Sequence, residues 1–92
     1  MTKHTFMVGS NKIELNHGNQ ILGRSTDNEI TISEPSLSSR HLLISNFDNY
    51  IEIIDLNSSN GTLINNNKVI PFKSIRINGG DKLTLGKLAI DY

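Results

Sequence analysis

The chain has 92 residues, the size of one small domain, and its 9 lysines and arginines balance its 9 aspartates and glutamates. Zero net charge argues against broad electrostatic capture of nucleic acid or acidic membranes, so any anion that binds must be held by a local cluster. The sequence contains no cysteine, which excludes disulfides and thiol catalysis. We therefore expect residues 1–92 to form a single binding domain rather than an enzyme with its own substrate pocket.

We expect neither a membrane span nor a signal peptide. No segment approaches the roughly 18 consecutive apolar residues that cross a bilayer, and residues 1–6 lack the apolar run of a signal peptide. These observations predict a cytoplasmic protein, in which the glycosylation-like patterns at Asn57 and Asn60 are incidental. A predicted strand at residues 89–92 reaches the last residue, which favours either a domain cut from a longer protein or a very trimmed protein.

Polar and apolar residues alternate with a period of two through most of the chain, which predicts half-buried strands rather than helices. In chain order, the predicted strands are 5–8, 12–15, 20–23, 29–32, 41–45, 50–55, 62–64, 74–78, 82–85 and 89–92. Turn clusters rich in Asn and Gly separate them, and the run Asn65-Asn66-Asn67 is predicted to be a polar hairpin tip. Many short strands with such turns predict an all-β sandwich or barrel.

Three polar clusters differ from ordinary turns because each lies where a predicted strand begins or ends. They are Gly23-Arg24, Ser38-Ser39-Arg40-His41 and Ser58-Ser59-Asn60-Gly61-Thr62. An arginine guanidinium offers planar, two-pronged donors that suit an oxyanion, and the glycine before it lets another chain approach closely. Hydroxyls, an amide and backbone N–H groups supply further donors. Each cluster alone is also what ordinary turns contain, so the residue types by themselves leave open whether these are turns or an anion site.

The order and spacing of these clusters resemble the forkhead-associated (FHA) domain. The matching segments are residues 23–25, 27–30, 37–42, 55–65 and 80–86, in which the motifs G-R, S-x-x-H and S-x-N-G-T stand in the family order. The resemblance runs from about Gln20 to the end of the chain. It implies a β-sandwich of two mainly antiparallel sheets and about eleven strands, with loops at one end that bind phosphothreonine peptides.

The resemblance also implies a role for each residue of the clusters. Arg24 is expected to grip the phosphate, Ser38 to donate its hydroxyl to it, and Ser59 to line the same pocket. Ser39 lies where a contact to the phosphate or the peptide often occurs. Asn60 is expected to bind the peptide backbone and so to fix its register.

Three further residues are expected to support the site, and Arg40 is considered separately. Gly23 gives room, His41 ties the binding loops together, and Gly61 belongs to the same supporting set. Arg40 is expected to pack at the surface or to support the anion field mildly.

A preference for particular residues beside the phosphothreonine is harder to predict. The domain residue that contacts the third peptide residue after the phosphothreonine is expected in loops 26–28 or 34–36, or after Asn65. Glu34 and the absence of a basic residue in these loops indicate neither an acidic nor a basic preference.

The phosphate chemistry fits these roles. A phosphothreonine carries about −1.5 to −2 charges and three acceptor oxygens. Hydrogen bonds to charged groups contribute roughly 1.5–3 kcal/mol each. One arginine with two or three further donors therefore makes the binding free energy of a phosphorylated peptide several kcal/mol more favourable than that of the bare peptide, even in a domain of zero net charge.

Catalysis and metal binding fit the sequence poorly. Ser38, His41 and Asp55 are the residue types of a hydrolase triad, but a serine three residues before a histidine gives no nucleophile elbow. His4, His17 and His41 lack the spacing of metal ligands. We therefore expect no enzyme activity, no metal and no cofactor.

The main alternative is an FHA-like scaffold or assembly domain that does not bind phosphate. Such a domain would be expected to lack the arginine or the pocket hydroxyls, whereas Arg24, Ser38, Ser59 and Asn60 are all present. We predict a non-catalytic, phosphothreonine-dependent interaction module that acts in signalling. Its partner would be a Thr-phosphorylated protein or peptide, in trans or in the same polypeptide, modified by a Ser/Thr kinase, with no nucleic acid or membrane involved.

Overall fold

A computed structural model describes residues 3–92 and contains eleven strands in two sheets. In chain order they are β1 (Thr5–Val8), β2 (Asn11–Glu14), β3 (Gly18–Gly23), β4 (Ile30–Thr31), β5 (Leu42–Asn46), β6 (Ile51–Asp55), β7 (Thr62–Ile64), β8 (Asn67–Lys68), β9 (Ile75–Ile77), β10 (Lys82–Leu85) and β11 (Leu88–Asp91). The six-stranded sheet has the order β2-β1-β11-β10-β7-β8, and the five-stranded sheet has the order β4-β3-β5-β6-β9. Neighbouring strands are antiparallel apart from the pair β3 and β4. The predicted all-β sandwich with two mainly antiparallel sheets is confirmed.

The strand predictions are accurate in number and position, with one exception. Three of them coincide with β1, β7 and β10, and the others differ from the observed strands by one or two residues at an end. The exception is β8, which was missed because two residues with weak strand propensity carry no alternation signal. The predicted hairpin tip is wrong by one residue. Asn65 and Asn66 form the turn with φ of 49° and 69°, while Asn67 already pairs with Ile64.

The core lies between the two sheets and follows from the period-two alternation. Every second side chain of β5 and β6 is buried, starting with the first residue of each strand. The buried apolar cluster consists of Phe6, Leu15, Leu22, Leu37, Leu42, Ile44, Ile51, Ile53, Ile77, Leu83, Leu85 and Ile90. Within residues 3–92, no helix is long and apolar enough to cross a membrane.

The antiparallel order of β3, β5 and β6 determines where the polar clusters meet. The end of β3, the start of β5 and the end of β6 lie side by side at one end of the five-stranded sheet. The backbone N–H of His41 donates to the carbonyl of Leu22 at 3.0 Å, and the N–H of Leu56 donates to the carbonyl of His41 at 3.0 Å. The loops concerned are 24–29, 32–41 and 56–61, and we call the region that they form the loop end.

Candidate functional site

Arg24 follows β3 directly, and its guanidinium is exposed but anchored. Its Nε–H donates to the carbonyl of Leu37 at 3.1 Å, and its backbone N–H donates to the carbonyl of Ser38 at 3.0 Å. The terminal guanidinium nitrogens make no hydrogen bond within residues 3–92. The guanidinium of Arg24 is thus fixed through Nε, and its two terminal nitrogens suit a bidentate contact with an oxyanion.

Ser38 and Ser59 belong to different loops and are in direct contact. The backbone N–H of Ser59 donates to Oγ of Ser38 at 2.9 Å, across 21 positions of sequence. Because Oγ of Ser38 accepts this bond, its own hydrogen remains available for a ligand. Since Arg24 pairs with the backbone of Ser38, the structure brings all three residues to one place at the loop end.

Asn60 and Ser39 differ in how their side chains are used. Nδ2 of the exposed Asn60 donates to the carbonyl of Ser36 at 2.8 Å, which ties two loops together and leaves Oδ1 available. Ser39 contributes its backbone instead. Its carbonyl accepts from Nδ2 of Asn28 at 2.6 Å and from the N–H of Ser25 at 3.1 Å. The exposed hydroxyl of Ser39 therefore stays a predicted ligand contact.

Gly23 lies where two loops approach most closely. A Cβ atom at this position would lie 2.2 Å from the carbonyl oxygen of Ser39 and 2.8 Å from Nδ2 of Asn28. Both distances are far shorter than van der Waals contact, so any side chain would push the loops apart. The space left by the missing side chain of Gly23 is thus filled by the backbone of loop 32–41.

His41 is fully buried beneath the loop end and bonds through both ring nitrogens. Nδ1 accepts the backbone N–H of Ser38 at 3.2 Å, so Nε2 carries the ring hydrogen. Nε2 lies 3.1 Å from both the carbonyl of Gly61 and Oγ1 of Thr62. Burial lowers the pKa of His41, and this outweighs the opposing effects of the Gly61 carbonyl and the Asp55 carboxylate. The neutral ring therefore bridges two loops.

Beneath loop 56–61 lies a buried network that the sequence analysis did not predict. The carboxylate of Asp55 accepts from the hydroxyl of Ser58 at 2.6 Å, from its N–H at 3.1 Å, and from the hydroxyl of Thr62 at 2.7 Å. Burial raises the pKa of Asp55, but these hydrogen bonds outweigh it and the net pKa is lowered. The one local signal is a serine three residues after the aspartate, which is typical of a side-chain-capped turn.

This arrangement does not match a hydrolase triad. Both nitrogens of His41 are occupied, and Ser38 gives the ring its backbone N–H rather than its hydroxyl. Nε2 of His41 also lies 3.9 Å from Oδ1 of Asp55, on the side of the ring that faces away from Ser38. A general base must reach the nucleophile's hydroxyl, and here it does not.

Comparison with known proteins identifies the family. The FHA domain family matches residues 21–86. The chain belongs to the FHA domain family. The resemblance inferred from the three motifs is therefore confirmed.

Relatives of this FHA domain occur in distant organisms. An FHA domain-containing protein of Arabidopsis thaliana is 42% identical over 60 residues, which is 65% of this chain and 16% of that protein. The FHA domain-containing protein FhaA of Mycobacterium tuberculosis is 35% identical over 74 residues, which is 79% of this chain and 13% of that protein. The chain thus spans about a sixth or less of the length of these curated relatives.

Solved FHA domains match nearly the whole chain. One, from a structural and functional analysis of phosphothreonine-dependent FHA domain interactions, is 30% identical with a TM-score of 0.89, covering 98% of this chain and 94% of that one. Another is the FHA domain of FhaA, complexed with the intracellular domain of a second protein. It is 30% identical with a TM-score of 0.86, covering 95% of this chain and 96% of that one.

A cleft of about 530 Å³ opens in this FHA domain at the loop end. It is lined by Glu34, Pro35, Ser36, Asn60 and Lys87. Lys87 comes from the β10–β11 turn, where its N–H donates to Oγ of Ser36 at 2.8 Å. Hydrogen bonds from Ser36 lower the pKa of Glu34, so this carboxylate is ionised at neutral pH. Lys87 is not predictable from the sequence motifs, because only the sheet topology brings it beside Asn60.

The β10–β11 turn approaches the cleft so closely because of Gly86. This residue has a φ of 59°, and a Cβ atom there would lie 2.6 Å from the carbonyl oxygen of Ser36. Its N–H donates to the carbonyl of Gly61 at 3.1 Å. The turn therefore supports two of the three loops from the six-stranded sheet.

Proposed function

We propose that this FHA domain is a non-catalytic module that binds phosphothreonine peptides, with residues 1–92 acting as one binding unit. The observation that supports the proposal is that three loops meet at one place, where the anchored Arg24 pairs with the backbone of Ser38 and the Ser38 hydroxyl accepts the N–H of Ser59. The similarity to an FHA domain studied for phosphothreonine-dependent interactions supports it. A scaffold that does not bind phosphate would have no use for this set of outward-facing donors.

Binding requires positioned donors and no bond breakage. The two terminal nitrogens of Arg24 take two phosphate oxygens, and the hydroxyls of Ser38 and Ser59 donate to the phosphate as well. Since Nε of Arg24 and Oγ of Ser38 are already fixed by hydrogen bonds, little side-chain entropy is lost when the ligand arrives. Asn60 bonds to the peptide backbone, and the Ser39 hydroxyl adds a contact at the rim.

The proposed partner is a Thr-phosphorylated protein or peptide, in trans or within the same polypeptide. Such a ligand requires a Ser/Thr kinase in the same compartment, and we place the domain in the cytoplasm on that basis. Neither nucleic acid nor a membrane is part of this function. The partner supplies the anion, and the domain supplies recognition alone.

We infer a peptide preference from the charges that line the cleft beside Asn60. The Glu34 carboxylate accepts the N–H of Ser36 at 2.6 Å, and Lys87, whose charge helps to lower the pKa of Glu34 from more than 4.0 Å away, is the one cation among the residues that line the cleft. An acidic peptide side chain in the cleft therefore pairs with Lys87. The charge reversal Lys87→Glu is expected to remove an acidic preference at that position of a peptide library.

Calorimetry with matched peptides tests the proposed function. A peptide selected from a degenerate phosphothreonine library is compared with its phosphoserine and unphosphorylated forms. We expect the phosphothreonine form to bind at least about 100-fold more tightly than the unphosphorylated form, since two charge-assisted hydrogen bonds contribute that much. The phosphoserine form is expected to bind more weakly than the phosphothreonine form. Equal binding of phosphorylated and bare peptide would reject the proposal.

A further inference from the structure

Two large apolar side chains, two positions apart, are exposed on the segment between β8 and β9. Ile70 is 62% exposed and Phe72 is 67% exposed, with Pro71 between them. Phe47, the third exposed apolar residue of the described chain, differs because its ring packs against Tyr50 at 5.0 Å. The Ile70–Phe72 pair is thus the most exposed apolar surface within residues 3–92. We call residues 70–73 the apolar turn.

The backbone of the apolar turn is unusual for an aromatic residue. The N–H of Lys73 donates to the carbonyl of Ile70 at 3.2 Å, which closes a β-turn with Pro71 and Phe72 at its centre. Phe72 has a φ of 65°, a conformation in which this turn position is ordinarily glycine or asparagine. Neither burial nor backbone preference accounts for a phenylalanine here. Residues held in unfavourable conformations at a surface often serve binding.

The apolar turn adjoins the loop end. The N–H of Phe72 donates to the carbonyl of Asp55 at 2.8 Å, and the N–H of Val69 donates to the carbonyl of Thr62 at 3.0 Å. These two partners flank loop 56–61, which carries Ser59. Ser59 is four residues after Asp55, and four residues of extended chain span at most about 14 Å. With the Phe72–Asp55 contact added, the backbone of Phe72 lies within about 20 Å of Ser59, a distance that about six residues of extended peptide can span.

The size of the patch restricts what it can bind. Large side chains bury about 150–250 Å² each, so two that are this exposed offer roughly 250 Å². A stable interface needs about 800 Å² per partner, so the patch is too small to hold a second copy of the chain alone. It is large enough to add to the affinity of a ligand that is already anchored nearby.

We propose that the apolar turn is a second contact for the phosphorylated partner. It receives an apolar side chain within about six residues of the phosphothreonine, on the same partner chain. This inference rests on the proposed phosphothreonine function. It extends that function from a phosphate pocket to a two-point contact, in which the phosphate provides the anchor and the apolar side chain provides additional selectivity.

A peptide library tests this contact. Peptides with a fixed phosphothreonine and random residues at seven positions on either side are selected on the wild type and on the double variant Ile70→Ser, Phe72→Gly. Glycine suits a φ of 65°, so this variant is expected to fold at least as stably as the wild type. We expect the wild type to enrich Leu, Ile, Phe or Met at one or two positions, and the variant to lose that enrichment while still requiring phosphothreonine.

Affinities of the selected peptide complete the test. The double variant is expected to bind it about tenfold more weakly, the effect of burying one large apolar side chain, whereas Phe47→Ala leaves its affinity unchanged. An identical apolar enrichment or affinity in wild type and double variant would overturn the inference while leaving the phosphate pocket intact. Concentration-dependent dimerisation that the double variant abolishes would also overturn it, in favour of a second copy. If the wild type binds no phosphothreonine peptide, the proposed function fails together with this inference.

Discussion

The two ends of the sandwich are each organised around a buried histidine, but they use it differently. At the loop end, His41 bonds to the backbone of Ser38 and Gly61 and holds loops whose other donors face outward. At the opposite end, Nδ1 of His4 accepts from the hydroxyl of Tyr92 at 2.6 Å, and its Nε2–H donates to the carbonyl of Asp48 at 2.6 Å. One histidine supports the proposed binding surface, whereas the other closes the fold.

Aromatic packing reinforces the closure at the opposite end. The rings of His4 and Tyr92 stack with centroids 5.9 Å apart, and Tyr92 packs edge-on against Phe6 at 5.7 Å. The loop end has no such aromatic contact within residues 3–92. Substitutions at the two ends should therefore separate ligand binding from stability, and four predictions use matched pairs to test this.

The largest effect is expected at the phosphate itself. Arg24→Ala is expected to weaken binding of a phosphothreonine peptide about 100-fold or more, because two charge-assisted hydrogen bonds are lost. Its thermal unfolding should change little, since the side chain is exposed. Arg76→Ala is the matched control, because Arg76 lies over the ring of Tyr50 at 4.5 Å, outside the loop end. Comparable loss of binding in both variants would contradict the assignment.

Glycine substitutions provide the next pair. Gly23→Ala is expected to destabilise the domain by about 3 kcal/mol, because the new Cβ would meet the Ser39 carbonyl. It should also weaken peptide binding, since loops 24–29 and 32–41 must move apart. Gly79→Ala, with nothing within 4 Å of the new Cβ, should be nearly neutral in both assays. Urea unfolding and calorimetry measure the two effects, and a neutral Gly23→Ala would show that the loops are not closely packed.

The two buried histidines form the third pair. His41→Ala and His4→Ala are each expected to cost about 2–4 kcal/mol of unfolding free energy, through lost packing and unsatisfied hydrogen-bonding groups. Only His41→Ala should also weaken phosphopeptide binding, by about tenfold, when both variants are assayed under conditions where circular dichroism confirms folding. Equal binding losses at His4 and His41 would remove the functional distinction between the two ends.

The smallest effect is the pH dependence of stability. The pKa of His41 is lowered by burial from its ordinary value of 6.5, so the unfolded chain binds more protons than the folded one below that pH. The free energy of unfolding should therefore be constant above pH 6.5 and fall below it, by at most about 1.4 kcal/mol per pH unit. The pKa of Asp55 is also lowered, and its contribution should persist until the pH falls below 3.8.

Urea unfolding between pH 7.5 and 5.0 checks this dependence. The decline should disappear in His41→Ala and persist when the exposed His17 is replaced by Ala. A decline of the same size in His41→Ala would assign the pH dependence to other groups.

Much of the fold follows from local patterns in the sequence. Strands such as β5 and β6 alternate buried and half-buried residues along their length, so their periodicity is readable without the structure. The proposed phosphate-binding residues Arg24, Ser38 and Ser59 could be named from the sequence because they stand in three motifs of family spacing. The antiparallel order of β3, β5 and β6 then brings those motifs together.

The rest depends on contacts between residues far apart in the chain. β8 is too short to alternate, and Lys87 reaches the cleft only because β10 pairs with β7. The contact between His4 and Tyr92 joins residues 88 positions apart, which no local pattern encodes. Phe72 could not be predicted for a different reason. Phenylalanine favours a buried position, whereas Phe72 is exposed, and its positive φ follows from the turn around it.

The central claim is that donors from three loops hold one phosphate at the loop end, and amide NMR during a peptide titration tests it most directly. Adding a phosphothreonine peptide to the ¹⁵N-labelled domain should shift the amide signals of Arg24, Ser38, Ser59 and Asn60, while those of Asp48 and Tyr92 stay in place. The unphosphorylated peptide should shift none of them. Shifts centred on Asp48 and Tyr92, or equal shifts with both peptides, would contradict the account.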